Sequence, residues 1–356
     1  MKILITGGHH NSALVIAESL RSAGYQVVWV GHRHTMVDDP HDSLEYQEVT
    51  AKKFPFISIQ AGKFHSQAHP VHFLRLPLGL FQAIGIIWHQ KPQLVLTFGG
   101  YIAVPIAFAA RLANIPIILF EQTTAIGRAN KLISHFSQKN FLAWNSSLPY
   151  FPSSKSEVVG LPLRPQILLP QQKKWFTRSK PIITVTGGKQ GSHSINQAFF
   201  PLIPKLLPDF NIIHQTGSVV KTGDSVTAAK IHSPFYLQKS HFISEEMLEA
   251  LKASDLVISR SGAHIVYELM TLHKPAILIP LPFSYLNEQA LNANKLVAAN
   301  QAIVITQEQL TPSSLFSSIK TIATSPPSPQ PSIPPQNATK VIGDYIASNY
   351  PHAQSH

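Results

Sequence analysis

One local pattern occurs twice and constrains the fold more than any other: a β-branched run entering paired glycines, ILITGGHH at residues 3–10 and ITVTGGKQG from Ile183. A strand that runs through glycines into a helix brings backbone N–H groups up to an anion. After the first copy, Ser12 is the predicted cap of a helix whose Ala13, Leu14, Ala17 and Leu20 recur at helical spacing, with Gly24 as its stop. A second strand is predicted at Gln26–Val30, which makes a β-α-β start to a parallel sheet.

The same grammar continues. Further strands are predicted at Phe54–Ile59, Gln93–Phe98, Pro116–Phe120 and Asn140–Trp144, and after the second glycine loop at Asn211–His214, Asp255–Ser259, Pro275–Ile279 and Ala302–Thr306. Helices are predicted to begin near Ser192, Glu245, Gly262 and Asn287. The chain's 356 residues exceed what one core usually organises. The expected fold class is α/β, two Rossmann-like domains facing each other across a cleft, at residues 1–161 and 162–324. Between them, Leu161–Lys180 carries three prolines and the basic residues Lys173, Lys174, Arg178 and Lys180. Six prolines make residues 325–337 an extended linker, and 338–356 a terminal helix needing a partner.

Several function classes fall away. A nicotinamide site is disfavoured, because G-x-G-x-x-G is absent and Gly31-His32-Arg33-His34 stands where a ribose-binding acid would follow the second strand. Without cysteine there is no disulfide, thiolate zinc site or cysteine nucleophile. H-E-x-x-H and G-x-S-x-G are missing too, so neither a metal site nor a serine hydrolase is expected. The start Met1-Lys2-Ile3-Leu4 is broken too soon by Gly7 and Gly8 for a signal peptide, and no uninterrupted apolar stretch reaches the ~18 residues of a span. The charge of +11 favours an anionic partner, but no basic stripe interleaved with aromatics points to nucleic acid.

What remains is a series of polar or glycine-rich strand ends. FGGYIAVP (98–105) follows one strand and FEQTTAIGRANK (120–131) another, with Glu121 and Gln122 at the strand's end. In GGKQGSHSIN (187–196), Lys189 adds a positive charge suited to phosphate. ISRSGAHIVYELM (258–270) sets a tight turn before a helix whose N-terminal amides suit a diphosphate, with Glu268 about two turns on, where a carboxylate accepts ribose hydroxyls. Gln289 and Asn292 share a helical face suited to sugar hydroxyls. FLRLPLGLFQAIGIIWHQ (73–90), beside Lys63, His65, His69 and His72, reads either as a core helix or as an apolar patch with a cationic rim for an anionic bilayer.

This ordered set resembles the MurG-type inverting glycosyltransferases, from Met1 to about Thr306. The resemblance rests on TGGH, FGGY with Pro105, EQ with Gly127 and Asn130, GLPLR, GGKQG with Asn196, HQTG at 214–217, SRSGA with Glu268, and the Gln289 and Asn292 pair. It implies transfer of GlcNAc from UDP-GlcNAc to a polyprenyl-diphosphate-linked acceptor, undecaprenyl-diphosphate-MurNAc-pentapeptide (lipid I), by a peripheral enzyme at the cytoplasmic membrane face, with no cofactor or metal. By that resemblance His9 is the general base, with His10 as the fallback. Substrate contacts are implied at Thr6, Gly7, Gly8, His10, Tyr101, Thr123, Arg164, Lys189, Gln190, Gly191, Ser261, Gly262, Ala263, Glu268, Gln289 and Asn292. The chain departs from the family pattern in a shortened glycine loop before His9, in Thr123 of EQT, in Leu161 of Gly160-Leu161-Pro162, and in Lys189. Transfer to another polyprenyl-diphosphate sugar, a UDP-GlcNAc 2-epimerase and a non-catalytic UDP-sugar-binding protein are the other readings.

Overall fold

The computed structural model describes residues 1–7, 10–34, 42–59, 71–124, 127–177, 179–188, 190–327 and 335–351, with only the backbone at 71–77, 220 and 285. Gly8, His9 and Lys189, the basic neighbours at 63–69 and the middle of the proline-rich segment lie outside them. The chain divides into two compact units, Met1–Arg164 with Pro335–His356, and Pro165–Pro334.

The first unit is a seven-stranded sheet in the order β3-β2-β1-β4-β5-β6-β7, with every pairing parallel. Its strands are β1 (Lys2–Thr6), β2 (Gln26–Gly31), β3 (Phe56–Ser58), β4 (Leu94–Thr97), β5 (Ile117–Glu121), β6 (Lys139–Leu142) and β7 (Ser156–Val158). The helices between them are α1 (His10–Ser22), α2 (Leu44–Ala51), α3 (Val71–Gln90), α4 (Ala103–Leu112) and α5 (Arg128–Ser134). A parallel sheet is covered on both faces, so its central strands are continuous apolar runs. Accordingly β4 (LVLT) and β5 (IILFE) are buried at every residue. Leu4, Val95 and Leu119 of the sheet pack with Ala83 and Ile87 of α3 and Ile106 and Ala110 of α4.

The second unit repeats the plan with six parallel strands ordered β10-β9-β8-β11-β12-β13. They are β8 (Ile182–Thr186), β9 (Asn211–Gln215), β10 (Tyr236–Lys239), β11 (Leu256–Ser259), β12 (Ala276–Leu278) and β13 (Ala302–Val304). Its helices are α6 (His193–Phe199), α7 (Ile203–Leu206), α8 (Asp224–Ala229), α9 (Ser244–Ala253), α10 (Ala263–Leu272), α11 (Glu288–Ala298) and α12 (Pro312–Thr324). Ile183, Val185, Ile212 and Ile258 meet Ile195, Phe199 and Ile319 in its core. Residues 172–175 are docked here: the Gln172 and Lys173 amides donate to Glu249 Oε2 at 2.7 and 3.1 Å, and Trp175 packs edge-on against Phe242.

The structure corrects the sequence reading in two places. Helix α1 starts at His10, so Ser12 lies inside it; the Ser12 hydroxyl is buried and donates to Gln122 Oε1 at 3.0 Å instead of capping. Two strands, β7 and β10, were not anticipated. Both are short edge strands of mixed polarity, SEV and YLQK, without the apolar run by which central strands are recognised.

After the second unit the chain returns to the first as α13 (Ala338–Asn349), which packs beside α1. Ile342 and Ile346 are fully buried, Tyr345 sits edge-on to Phe141 with centroids 5.5 Å apart, and the Tyr25 hydroxyl donates to the Tyr350 carbonyl. Helix α13 is therefore part of the first unit's core. Ile346→Ala removes a buried side chain and is expected to destabilise that unit by about 2–5 kcal/mol in urea denaturation. Lys340→Ala, on an exposed ion pair with Asp344, is expected to leave the midpoint nearly unchanged.

Candidate functional site

Both sheets share one topological fact. The chain leaves β1 toward β2 on one side and returns to β4 on the other, and it does the same at β8 with β9 and β11. Loops at the C-terminal ends of such strand pairs diverge, which leaves room for a ligand. Gly7 follows β1, Gly99 and Gly100 follow β4, Gly187–Gly191 follows β8, and Arg260–Gly262 follows β11. The glycine motifs therefore stand at the switch point of each sheet.

In the first unit, the Thr6 hydroxyl is buried and donates to Thr97 Oγ1 at 3.0 Å, and Thr97 Oγ1 also accepts the Gly99 amide at 3.2 Å. Thr6 thus ties the two loops together instead of facing solvent. Gly7 donates its amide to the Val30 carbonyl. His10 opens α1, with Nε2 3.1 Å from Glu48 Oε2 of α2. Tyr101 is half-buried and stacks on His32 with centroids 5.2 Å apart; burial, helped by the charge of Glu45, pushes its phenol up to about 12. Thr123 is also buried, and both its amide and hydroxyl donate to Glu121 Oε1, while Asn130 donates to Glu121 Oε2 at 2.8 Å. Glu121 is therefore a bracket inside the loop. Arg164 ends this part of the first unit and is half-buried.

The same unit exposes apolar surface. Phe81, Ile84 and Trp88 recur along α3, with Phe81 72% and Trp88 70% exposed, and Leu112 of α4 is 70% exposed. Between the two helices runs an apolar groove of about 440 Å³ lined by Ile84, Ile87, Trp88, Leu112 and Ile115, with Lys91 at its edge. Among the described residues, no helix is long and apolar enough to cross a membrane.

In the second unit, two backbones approach so closely that only glycine fits. A Cβ on Gly191 would lie 2.3 Å from the Thr216 carbonyl oxygen, and one on Gly217 2.3 Å from that of Gln190; both residues have positive φ. This interlock fixes the loop after β8 against the loop after β9, with Gln190 exposed. Gln215 reinforces it by donating to Gly188 O and Thr186 Oγ1. Below lies a buried chain: His214 meets Tyr236 Oη at 2.9 Å and Asn196 Oδ1 at 3.0 Å, Asn196 donates to Asp224 Oδ2, and Asp224 Oδ1 meets His193 Nδ1 at 2.9 Å. Burial drives the His214 imidazole down to about 3, against the pull of Asp224.

The loop after β11 prepares an anion site. Gly262 is the N-cap of α10 and Ala263 its first residue, which sets the positive end of the helix dipole at this turn. The Ser261 hydroxyl donates to the Gln289 carbonyl at 2.8 Å, and Asn292, fully buried, donates to the Ser261 carbonyl at 3.2 Å. Asn292 therefore holds this turn, while half-buried Gln289 accepts the Leu281 amide through Oε1. Beside Asn292, burial raises the carboxyl pKa of Glu288. Among the described residues, Arg260 donates to Ser194 Oγ, Gln307 Oε1 and the Ile279 carbonyl, all neutral acceptors. Glu268, only 8% exposed, lies five residues along α10 from Ala263, roughly 7–8 Å up the axis. No group of three His, Asp or Glu residues that could hold a metal ion occurs among the described residues.

Glycine loops and a helix N-terminus at the switch points of two parallel sheets define an α/β protein of the nucleotide-binding Rossmann class. Residues 6–142 match the glycosyltransferase family 28 N-terminal domain and residues 182–343 its C-terminal domain, and the chain belongs to that family. A relative from Lachnospira eligens is 32% identical over 332 residues, 90% of each chain, and is named UDP-N-acetylglucosamine–N-acetylmuramyl-(pentapeptide) pyrophosphoryl-undecaprenol N-acetylglucosamine transferase. One from Clostridium botulinum with the same name is 31% identical, covering 89% of this chain and 88% of that protein. The crystal structure of Acinetobacter baumannii MurG superposes with a TM-score of 0.69 at 24% identity, covering 98% and 99% of the two chains. A UDP-GlcNAc 2-epimerase from Neisseria meningitidis gives 0.67 at 15% identity over 98% and 100%. The fold alone is thus common to transferases and epimerases; the family match separates them.

Sequence reasoning did not single out Glu45, Glu48, Arg260 or Asp224. Each acts on a residue far along the chain, Asp224 on His193 and Glu48 on His10, and no local spacing marks such a pair. The buried His214 also sets a pH dependence. Its native pKa lies below the ordinary 6.5, so between about 6.5 and 3 the unfolded chain binds a proton that the folded chain does not. Stability is complete above that window and falls with pH inside it, by at most about 1.4 kcal/mol per unit. Urea midpoints of the second unit are expected to drop between pH 7 and 5, and less steeply in His214→Asn.

Proposed function

We infer that the protein is an inverting N-acetylglucosaminyltransferase that moves GlcNAc from UDP-GlcNAc to undecaprenyl-diphosphate-MurNAc-pentapeptide and releases UDP. The observation that carries this reading is the Ser261–Ala263 turn at the N-terminus of α10 with Glu268 buried on the same helix. A diphosphate at the turn meets the positive end of the α10 dipole, and the ribose then falls within reach of Glu268. The names of the family relatives supply the sugar and the acceptor.

In the reaction, the acceptor hydroxyl oxygen attacks the anomeric carbon opposite the diphosphate. The new glycosidic bond forms as the bond to the diphosphate oxygen breaks, and that electron pair leaves with UDP. The positive end of the α10 dipole, together with the charge of Arg260, stabilises the departing diphosphate. The hydroxyl proton passes to an imidazole of the first unit's loop, His9 or its neighbour His10. Gln289 is assigned to the sugar hydroxyls, and Asn292 supports it by holding the Ser261 carbonyl. Gly187–Gly191 and Lys189 contribute to the donor's phosphates, and Gly7, Gly8, Tyr101, Thr123 and Arg164 to the acceptor side.

The acceptor carries a polyprenyl chain, which belongs in a bilayer. The exposed face of Phe81, Ile84, Trp88 and Leu112, with Lys91 and Arg111 nearby in sequence, suits peripheral contact with an anionic membrane, on the cytoplasmic side where UDP-sugars are made. Each such ring withdrawn from water adds roughly 1.5–3 kcal/mol.

The test is UDP release from labelled UDP-GlcNAc with purified lipid I and with simpler lipid-diphosphate sugars; epimerised sugar without lipid would overturn the reading. Glu268→Ala is expected to weaken UDP binding about 10- to 100-fold by calorimetry, since a charged hydrogen bond contributes roughly 1.5–3 kcal/mol. His9→Ala is expected to lower turnover at least about 100-fold with UDP binding retained. Phe81→Ser with Trp88→Ser is expected to release the protein from anionic vesicles in a flotation assay while its melting temperature holds.

A further inference from the structure

The first glycine of the TGGH loop has an unexpected reason to be glycine. Gly7 does not adopt positive φ, so conformational freedom does not require it. A Cβ there would lie 1.6 Å from Oε1 of Glu45, and a Cβ on Gly31 would lie 2.5 Å from the same atom. Two glycines from neighbouring strands thus open a slot for one carboxylate from α2. That carboxylate is held in place, because Trp29 of β2 donates its indole N–H to Oε1 at 2.7 Å. Burial raises the pKa of Glu45, and the Trp29 hydrogen bond and the nearby His10 oppose that rise.

Glu48 lies one helical turn further along α2 and meets His10 Nε2 at 3.1 Å. Residues at i and i+3 share a helix face, so α2 turns two carboxylates toward the loop that begins α1. Ser43 fixes the start of α2: its hydroxyl accepts the Tyr46 amide and donates to the His32 carbonyl. Among the described residues, the titratable and charged groups around this face are His10 of α1, Tyr46 of α2, Tyr101 after β4, His32 after β2, and the Arg33–Asp42 pair at the start of α2. A carboxylate on Nε2 keeps the proton of the neutral ring there, which makes Nδ1 the basic nitrogen.

We propose that Glu45 and Glu48 are positioning residues for the proton-accepting step: Glu48 orients the ring of His10, and Glu45, seated against Gly7, places a second negative charge near that ring. The proposal rests on the transferase reading. Both carboxylates act through the loop, and neither touches substrate. A negative charge beside an imidazole favours its protonated form, and the base works only when neutral. Removing either charge therefore moves the rising, acid-side limb of kcat to lower pH and weakens the base.

The experiment measures kcat and KM between pH 5.5 and 9 for Glu45→Gln and Glu48→Gln with UDP-GlcNAc and lipid I, alongside UDP binding and thermal melts. Glutamine keeps the shape and the acceptor for Trp29 while removing the charge. The expected result is a kcat at pH 7 reduced about tenfold or more, an acid limb displaced downward by about half a pH unit or more, and an unchanged dissociation constant for UDP. A folded Glu48→Gln whose limb coincides with that of the unmodified protein overturns the proposal, whatever its kcat. Glu48 is partly exposed, so this variant reports even if Glu45→Gln does not fold. The transferase reading fails separately, if the unmodified protein releases no UDP with either lipid acceptor.

Discussion

Every strand pairing in both units is parallel, and everything functional follows from where a parallel sheet leaves backbone groups and space. Its strands are buried on both faces, so chemistry is pushed to their ends. At β1 and β8 the crossovers run off in opposite directions, and those ends open. The glycine loops occupy these openings, and the helices that follow aim their N-termini into them. A single point substitution in the interior of β4 or β11 would therefore act on the site only by moving a loop.

The loops are short and glycine-rich, so they need support from beneath, and buried polar side chains supply it. Glu121 gathers Thr123 and Asn130; Asp224 and His214 gather Asn196 and the HQTG turn; Asn292 and Ser261 tie α11 to the loop after β11. Buried polar groups left unpaired are costly, so each network has few alternative arrangements. Thr6, Thr123 and Asn292, which have the chemistry to bind a hydroxyl, are also brackets of this kind inside the fold.

Two kinds of information were legible in the sequence for different physical reasons. Strand and helix order was readable because hydrophobic period and glycine punctuation are local: β1, β4, β8 and β11 stand where their apolar runs predict. Edge strands β7 and β10 escaped because an edge need not be apolar. The candidate site was legible where a backbone motif carried it, as in the Ser261–Ala263 turn that stands, as expected, at the start of α10. It was illegible when the function belongs to a pair remote in sequence, such as Trp29 with Glu45 or Arg260 with Gln307. Gly7 shows the limit well. Its type was visible, but its cause, a carboxylate brought in by a helix some forty residues later, was not.

The chain's net charge of +11 hides a local division of labour. The second unit's turn holds the positive end of the α10 dipole and a guanidinium whose acceptors among the described residues are neutral. Beside the first unit's loop, Glu45 and Glu48 share one face of α2. Glycosyl transfer makes matching demands, since the leaving diphosphate gains negative charge while the base that takes the hydroxyl proton gains positive charge.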